Sequence, residues 1–131
     1  MTATGTFNVQ LQPLESYSTG TNEMALGRMS IDKTFNGDLK AVSKGEMLSA
    51  RTPVPGSAGY VALEQVEGTL NGKEGTFILQ HFGVMSGGEN RLLLEVVPHS
   101  GTGELSGLAG TMEIKVEEGE HRYLFEYELS Q

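Results

Sequence analysis

The 131-residue sequence contains no cysteine. Its absence excludes thiol catalysis, disulfide bonds and cysteine-ligated metal sites. Because a reducing compartment is the default for such a chain, we expect a cytoplasmic protein. The opening residues "MTATGTFNVQLQP" have neither the basic start nor the apolar core of a signal peptide. No apolar run approaches the roughly 20 residues of a membrane-spanning helix, so we expect no membrane partner.

Positive charge is also scarce. Nine Lys and Arg residues stand against seventeen Asp and Glu, which gives a net charge of −8. Nucleic-acid phosphates require clustered Lys and Arg, whereas these are scattered, so we expect no nucleic-acid partner. The acidity favours solubility. The length indicates a single domain over residues 1–131, large enough to bury a core.

Glycine, by contrast, is abundant, and it accompanies alternating apolar and polar residues. Eighteen glycines and four prolines, without any helical apolar stripe, predict an all-β fold. We expect eight strands, at about residues 5–12, 24–35, 38–49, 59–70, 75–86, 90–98, 110–117 and 121–130. Eight antiparallel strands with one apolar face predict a closed up-and-down β-barrel, because closure removes exposed sheet edges. Such an interior either fills with side chains or holds one small ligand.

Short turns predict which side chains face inward, since side chains alternate along a strand. Asn71-Gly72, Gly87-Gly88 and Glu118-Gly119 are the turns of three hairpins. Their registers predict an inward face that contains Tyr60, Ala62, Glu64, Val66, Phe77, Leu79, His81, Met112, Ile114, Val116, Tyr123, Phe125, Tyr127 and Leu129.

A fourth turn, Asn36-Gly37, is assigned in the same way. It predicts that Arg28 and Asp32 face inward while Lys33 faces outward. The inward face of the following strand then carries Leu39, Ala41, Ser43, Gly45 and Met47. Met29, Ile31, Phe35 and Val42 would form an apolar patch outside the barrel. Such a patch is typical of an interface between subunits, and we expect a homo-oligomer.

The segment "PHSGTGELSGLAG", residues 98–110, raises the question of a phosphate-binding loop. A dinucleotide fingerprint needs G-x-G-x-x-G at the start of a helix. Here the glycine spacing differs, and the alternating strand "TMEIKVE" follows. The segment therefore predicts a compact corner between two strands, in which glycines permit close backbone approach.

The stretch "GTGELSGLAGTMEI" resembles the glycine-rich signature of allene oxide cyclase-like barrels, a superfamily that includes dirigent proteins. With "KTFNGDL" and "GTLNGKEGTFILQHFG", it is similar to a bacterial family of small uncharacterised proteins assigned to that superfamily. The resemblance covers about residues 5–130 and implies an eight-stranded, often oligomeric barrel. It supplies no function. In allene oxide cyclases a pocket glutamate acts on the substrate, but no cysteine is available here to match their pocket thiol.

The strongest candidate site combines Glu64, His81 and Tyr60 on one predicted face. A carboxylate beside an imidazole in an apolar lumen can act as a general acid–base pair. Burial would raise the Glu pKa and lower that of His, and each charge would oppose the shift of the other. The alternative is a structural ion pair or hydrogen bond.

Four further residues are candidates for ligand binding. Tyr123 and Tyr127 could orient a ligand with their hydroxyls, or could be ordinary core residues. Arg28 and Asp32 could line a polar mouth. His81, His99 and His121 lack the spacing of a metal site, and no motif indicates a cofactor.

Three functions remain open at this stage. The first, and the one that we predict, is a lumen that binds a small hydrophobic molecule, because an apolar wall with a few polar groups is typical of ligand pockets. The second is an isomerase or cyclase that uses Glu64 and His81 as acid–base residues. The third is a packed barrel that acts only through its outer surface.

Overall fold

The computed structural model describes residues 1–130 and contains eight long antiparallel strands. They are β1 (Thr2–Leu14), β2 (Ala25–Gly37), β3 (Leu39–Arg51), β4 (Ala58–Leu70), β5 (Lys73–Ser86), β6 (Glu89–Val96), β7 (Leu108–Glu117) and β8 (Glu120–Leu129). Each strand pairs with the next, and β1 pairs with β8, which closes the barrel. The predicted all-β, eight-stranded up-and-down barrel is therefore confirmed. Within residues 1–130, no helix is long and apolar enough to cross a membrane.

Three hairpin registers agree with the predictions from turn chemistry. In β4–β5, Ala62 lies opposite His81, and in β5–β6, His81 lies opposite Leu94. In β7–β8, Met112 lies opposite Phe125. These pairings place alternate side chains of each strand inside the barrel.

The β2–β3 hairpin has a different register from the one predicted. Asn36 and Gly37 continue the ladder with β1 instead of forming the turn, and the chain reverses around Asp38. The Asp38 side chain accepts a hydrogen bond from the backbone of Thr4, which favours this arrangement over a local two-residue turn. Lys33 consequently lies opposite Ser43, so the two side chains share the inward face.

The shift in register moves every β2 side chain to the face opposite the predicted one. Ile31, Lys33 and Phe35 are buried inside, whereas Arg28 and Asp32 face outward. The prediction of an outer apolar patch from Met29, Ile31 and Phe35 is therefore wrong. Val42 does face outward, and the inward face of β3 is as predicted.

One end of the barrel is packed and covered. Its core contains Ala3, Phe7, Phe35, Leu39, Val66, Leu70, Phe77, Leu79, Leu94, Leu105, Leu108, Met112, Tyr123, Phe125 and Tyr127. Phe77 stacks on Phe125 with ring centroids 5.8 Å apart. This end carries the 37–39 and 70–73 turns and the glycine-rich connection, and we call it the closed end.

The glycine-rich connection between β6 and β7 forms the predicted corner. Thr102 pairs with Thr76 of β5 through its backbone and its hydroxyl, and Leu105, within a short 3₁₀ turn, is buried in the core. A Cβ at Gly75 would overlap the carbonyl oxygen of Thr102, so glycine is needed for this approach. The segment is thus a corner that covers the closed end.

The other end, which we call the open end, carries the loops 15–24 and 52–57 and two tight turns. Here the inward-facing Leu11, Leu92 and Val116 remain 44%, 43% and 63% exposed. The neighbouring strands β6 and β7 pair only through Leu94–Met112 and Glu95–Thr111. Apolar side chains of the lumen are therefore accessible to solvent at this end.

Candidate functional site

A buried charged network lies between the packed core and the open end. Glu64 on β4 is 1% exposed, and three inward-facing side chains from β2, β3 and β5 contact it. The Lys33 ammonium donates to Glu64 Oε2 at 2.8 Å, and the Ser43 hydroxyl donates to Oε1 at 2.6 Å. His81 Nε2 also bonds to Oε2. The four strands thus bring both oxygens of one carboxylate into hydrogen bonds.

The network keeps Glu64 ionised. Burial raises the carboxyl pKa, but the His81 hydrogen bond, the Lys33 charge, the His81 charge and the Lys33 hydrogen bond all lower it. Their sum lowers the pKa from 4.5 to about 2. Burial does raise the Glu64 pKa, as predicted, but the hydrogen bonds and charges of His81 and Lys33 lower it by more. Glu64 at neutral pH therefore accepts hydrogen bonds and is a poor candidate for the proton-abstracting base.

Lys33 is the residue that sequence reasoning missed. Its ammonium lies 4.9 Å from the ring centroid of Phe7 and 5.7 Å from that of Phe35, in addition to its ion pair with Glu64. Aromatic faces stabilise a cation that has lost its water. The alternation of Ile31, Lys33 and Phe35 was the available signal, but the assumed turn at Asn36-Gly37 placed Lys33 outside.

Tyr60 extends the network toward the open end. Its hydroxyl lies 3.3 Å from His81 Nδ1. An ionised carboxylate can only accept, so His81 Nε2 carries the proton toward Glu64, and in the neutral imidazole Nδ1 accepts from Tyr60. Burial and the negative charge of Glu64 raise the pKa of Tyr60, which keeps its proton in place. The result is a directed chain from Tyr60 through His81 to Glu64.

A glycine makes room for this tyrosine. Gly83 lies directly opposite Tyr60 in the β4–β5 ladder, and a Cβ at that position would overlap the tyrosine ring. The ring therefore lies against β5, from which His81 also projects. The backbone of β5 thus positions both members of the Tyr60–His81 contact.

The other predicted site residues lie elsewhere. The Tyr123 hydroxyl donates to the carbonyl of Asn36 at 2.9 Å and accepts from the amide of Leu39 at 2.9 Å. The Tyr127 hydroxyl accepts from the Asn71 side chain at 2.7 Å. Both hydroxyls therefore bond to turns of the closed end, away from the network.

Arg28 and Asp32 are on the outer surface, so their predicted inward position is wrong. Arg28 pairs with Glu46 through contacts of 2.6–2.7 Å, and Asp32 pairs with Lys44 at 3.1 Å. The two residues bind different partners and do not form a mouth. The turn at Asp38 changes the register and is the physical cause.

Metal binding has no support in residues 1–130. No group of three or more His, Asp or Glu side chains in this part of the chain could hold a metal ion. The Glu64 carboxylate is instead occupied by Lys33, Ser43 and His81. The described site is one of hydrogen bonds and a buried ion pair.

Comparison with known proteins assigns the family. The model of a family described as protein of unknown function DUF3224 matches residues 3–127. The chain belongs to the DUF3224 family. A crystal structure of a DUF3224 protein of unknown function from Shewanella oneidensis MR-1 has 58% sequence identity and a TM-score of 0.98. The match covers 100% of this chain and 98% of that one. No curated protein matches this DUF3224 chain.

Proposed function

We propose that this DUF3224 protein binds a small, neutral, hydrophobic molecule in the open half of its barrel. The observation that carries the proposal is the exposure of Leu11, Leu92 and Val116 on the inward face. Apolar side chains around a few polar groups are typical of ligand sites. A ligand that covers them would remove apolar surface from water, which is favourable.

The charged network supports a neutral ligand. Lys33 Nζ and Glu64 Oε2 lie 2.8 Å apart and compensate each other's charge. The network beneath the open end therefore offers no unpaired charge to a ligand. Burying an ionised ligand there would cost its hydration without a partner. With a neutral His81, the Tyr60 hydroxyl donates to Nδ1, and its oxygen retains the capacity to accept a hydrogen bond. A hydroxyl or N–H group on the ligand would fit this position.

Titration with Nile red, a neutral hydrophobic fluorophore, tests the proposal. Leu92→Glu places a charge on the inward face, whereas Leu63→Glu makes the same change on the outer face of β4. We expect Leu92→Glu to weaken Nile red binding about tenfold or more, equivalent to about 1.4 kcal/mol, and Leu63→Glu to leave it unchanged. A larger effect of Leu63→Glu, or no binding by the unaltered protein, would contradict a lumen site.

Native mass spectrometry identifies the natural ligand directly. Protein purified gently from its source should carry a small neutral molecule that Leu92→Glu loses and Leu63→Glu retains. A mass equal to that of the bare chain in every preparation, together with failure to bind Nile red, would argue against a ligand.

A second candidate function is transfer of a proton from a bound substrate to the Tyr60–His81 pair and back to another atom of the substrate, as in an isomerase or cyclase. The hydrogen-bonded chain Tyr60–His81–Glu64 favours it, because an ionised Glu64 would stabilise a proton acquired by His81. In this version Glu64 is a positioning residue, and Tyr60 and His81 handle the proton. Tyr60→Phe should then retain binding of the co-purified molecule but lose its conversion. Equal conversion by Tyr60→Phe would contradict the role of Tyr60, and no conversion by the unaltered protein would leave binding as the function.

Two broader expectations belong to the same proposal. The closed eight-stranded barrel is compatible with membership of the allene oxide cyclase-like superfamily. A cytoplasmic location agrees with the absence of cysteine. Fractionation of the source cells, followed by immunoblotting, tests the location.

A further inference from the structure

Tyr60 is the member of the charged network that a ligand can reach. Lys33, Ser43, Glu64 and His81 are between 1% and 6% exposed, whereas Tyr60 is partly exposed. Its hydroxyl lies 3.3 Å from His81 Nδ1, while the other ring nitrogen, Nε2, bonds to Glu64. A ligand in the open half therefore contacts the network through the Tyr60 hydroxyl.

The direction of the hydrogen bond that Tyr60 offers depends on the charge of His81. In both states Nε2–H donates to Glu64, which is ionised and can only accept. In the neutral imidazole, Nδ1 accepts the Tyr60 hydrogen, and the hydroxyl oxygen accepts from a ligand. In the imidazolium, Nδ1 donates to the hydroxyl oxygen, so the Tyr60 hydrogen is free to donate to a ligand. One tyrosine thus accepts from a ligand in one state and donates to it in the other.

The charged groups around His81 act on it in opposite directions. Glu64 on β4 favours the imidazolium, and the Lys33 ammonium on β2 opposes it, since both cations would share Oε2 of one carboxylate. Tyr60 stays protonated, because burial and Glu64 raise its pKa. On β6, the residue opposite His81 is the apolar Leu94. The charges of Lys33 and Glu64 cancel, so a protonated His81 adds a positive charge that a ligand oxygen would stabilise through Tyr60.

We propose that Tyr60 selects ligands by the direction of this hydrogen bond, and that His81 couples the selection to protons. The inference rests on the proposed lumen site. With neutral His81, the site prefers a hydrophobic alcohol, which donates to Tyr60. With protonated His81, it prefers a hydrophobic ketone or aldehyde, which accepts from Tyr60, and binding of that ligand takes up one solvent proton at Nδ1. Tyr60 is then the specificity-determining residue, and His81 is a positioning residue that acts through it.

Displacement of Nile red by a matched alcohol and ketone tests the coupling. Cyclododecanol and cyclododecanone share one apolar ring, so the ratio of their Kd values isolates the polar contact. Between about pH 8 and about pH 5.5, we expect this ratio to shift about tenfold or more in favour of the ketone, because one linked proton changes affinity by up to about tenfold per pH unit. The Kd of Nile red is measured at each pH.

Four variants identify the groups responsible. Tyr60→Phe should bind both compounds but lose the pH dependence of their ratio, because it has no hydroxyl. His81→Gln should also lose it, because an amide does not titrate in this range. Tyr17→Phe makes the same change at a fully exposed tyrosine and should keep the shift. His121→Gln removes another histidine of the inward face and should keep it too. Circular dichroism checks that each variant keeps its β structure.

The unaltered protein gives a second readout that depends on no variant. The nitrogen chemical shifts of an imidazole distinguish its neutral and protonated forms by NMR. At a pH where both forms of His81 are present, saturating cyclododecanone should raise the protonated fraction and cyclododecanol should lower it. His99, which is exposed in the glycine-rich connection, is the internal reference and should respond to neither compound.

Several results would overturn the inference and leave the lumen site intact. They are a Kd ratio that does not change with pH, a His81 signal that responds equally to both compounds, and a His81 that keeps one charge state throughout the range. A shift that survives in Tyr60→Phe would also contradict it. Failure of the unaltered protein to bind Nile red or either compound would instead overturn the proposed function, and this inference with it.

Discussion

Lys33 determines the charge balance inside the barrel. It is one of four titratable side chains in the network, with Tyr60, Glu64 and His81, and it provides the positive charge beside the Glu64 carboxylate. A buried ion pair adds little net stability, because both charges lose their water. Removing only one partner is costly, since the other is then buried without compensation.

We therefore expect Lys33→Met to lower the free energy of unfolding by about 3–5 kcal/mol at neutral pH. The double variant Lys33→Met/Glu64→Gln should recover much of this loss, because it removes both charges and retains the bulk of both side chains. Urea denaturation of the three proteins measures the difference. A double variant no more stable than Lys33→Met would show that packing, and not charge, accounts for the loss.

The Glu64 carboxyl also makes stability depend on pH. Its pKa is about 2 in the folded protein, against 4.5 for the free group. Because folding lowers this pKa, the contribution is complete above pH 4.5 and is lost as the pH falls toward 2. The difference corresponds to about 3 kcal/mol. Unfolding free energies measured from pH 6 to 2 should fall more steeply for the natural chain than for Lys33→Met/Glu64→Gln, and parallel curves would contradict this assignment.

At the scale of elements, hairpin turns determine how much of the site the sequence predicts. Asn71-Gly72 is a two-residue turn with both residues at positive φ, so the β4–β5 register and the Glu64–His81–Tyr60 grouping follow from local chemistry. Asn36-Gly37 has the same sequence signal, but β1 pairs with both residues and prevents that turn. A contact between distant segments is not visible in local sequence, and it is the reason Lys33 was not predicted as a partner of Glu64.

The glycine-rich connection is the element most sensitive to added bulk. A Cβ at Gly101 would overlap the carbonyl oxygen of Leu105. We expect Gly101→Ala to destabilise the protein by about 1–3 kcal/mol, as for other overpacked sites. Gly59→Ala is the matched control, because its Cβ would first meet the Gly83 carbonyl oxygen at an ordinary 3.5 Å. Thermal unfolding measures the melting temperatures of both variants. An equal decrease in Gly101→Ala and Gly59→Ala would show that the corner tolerates a side chain.

Considered as a whole, the molecule has a packed closed end and, at the other end of the barrel axis, an open end where we propose that a ligand binds. Tyr123 and Tyr127 bond to turns at the closed end, where the aromatic core provides stability. Tyr60 and the exposed lumen residues lie toward the open end. Tyr60, Tyr123 and Tyr127 were all predicted to face inward. Their hydroxyl partners distinguish them, because Tyr123 and Tyr127 bond to closed-end turns and Tyr60 contacts His81.

Closure of the barrel has a kinetic consequence. Seven of the eight ladders join strands adjacent in sequence, whereas the β1–β8 ladder joins Thr2 to Glu126 across almost the whole chain. Bringing such distant segments together costs chain entropy before any contact compensates for it, so we expect this ladder to form last during folding.

Substitutions then have different kinetic effects according to their ladder. Ala3→Gly, in the β1–β8 ladder, should mainly accelerate unfolding. Val66→Ala, in the β4–β5 hairpin, should slow folding, because local hairpins form earlier. Stopped-flow chevron plots measure the folding and unfolding rates of both variants. If only Ala3→Gly folded more slowly, the β1–β8 ladder would form before the β4–β5 hairpin. The β1–β8 hydrogen bonds that close the barrel are thus also the ones expected to govern the unfolding rate of the protein.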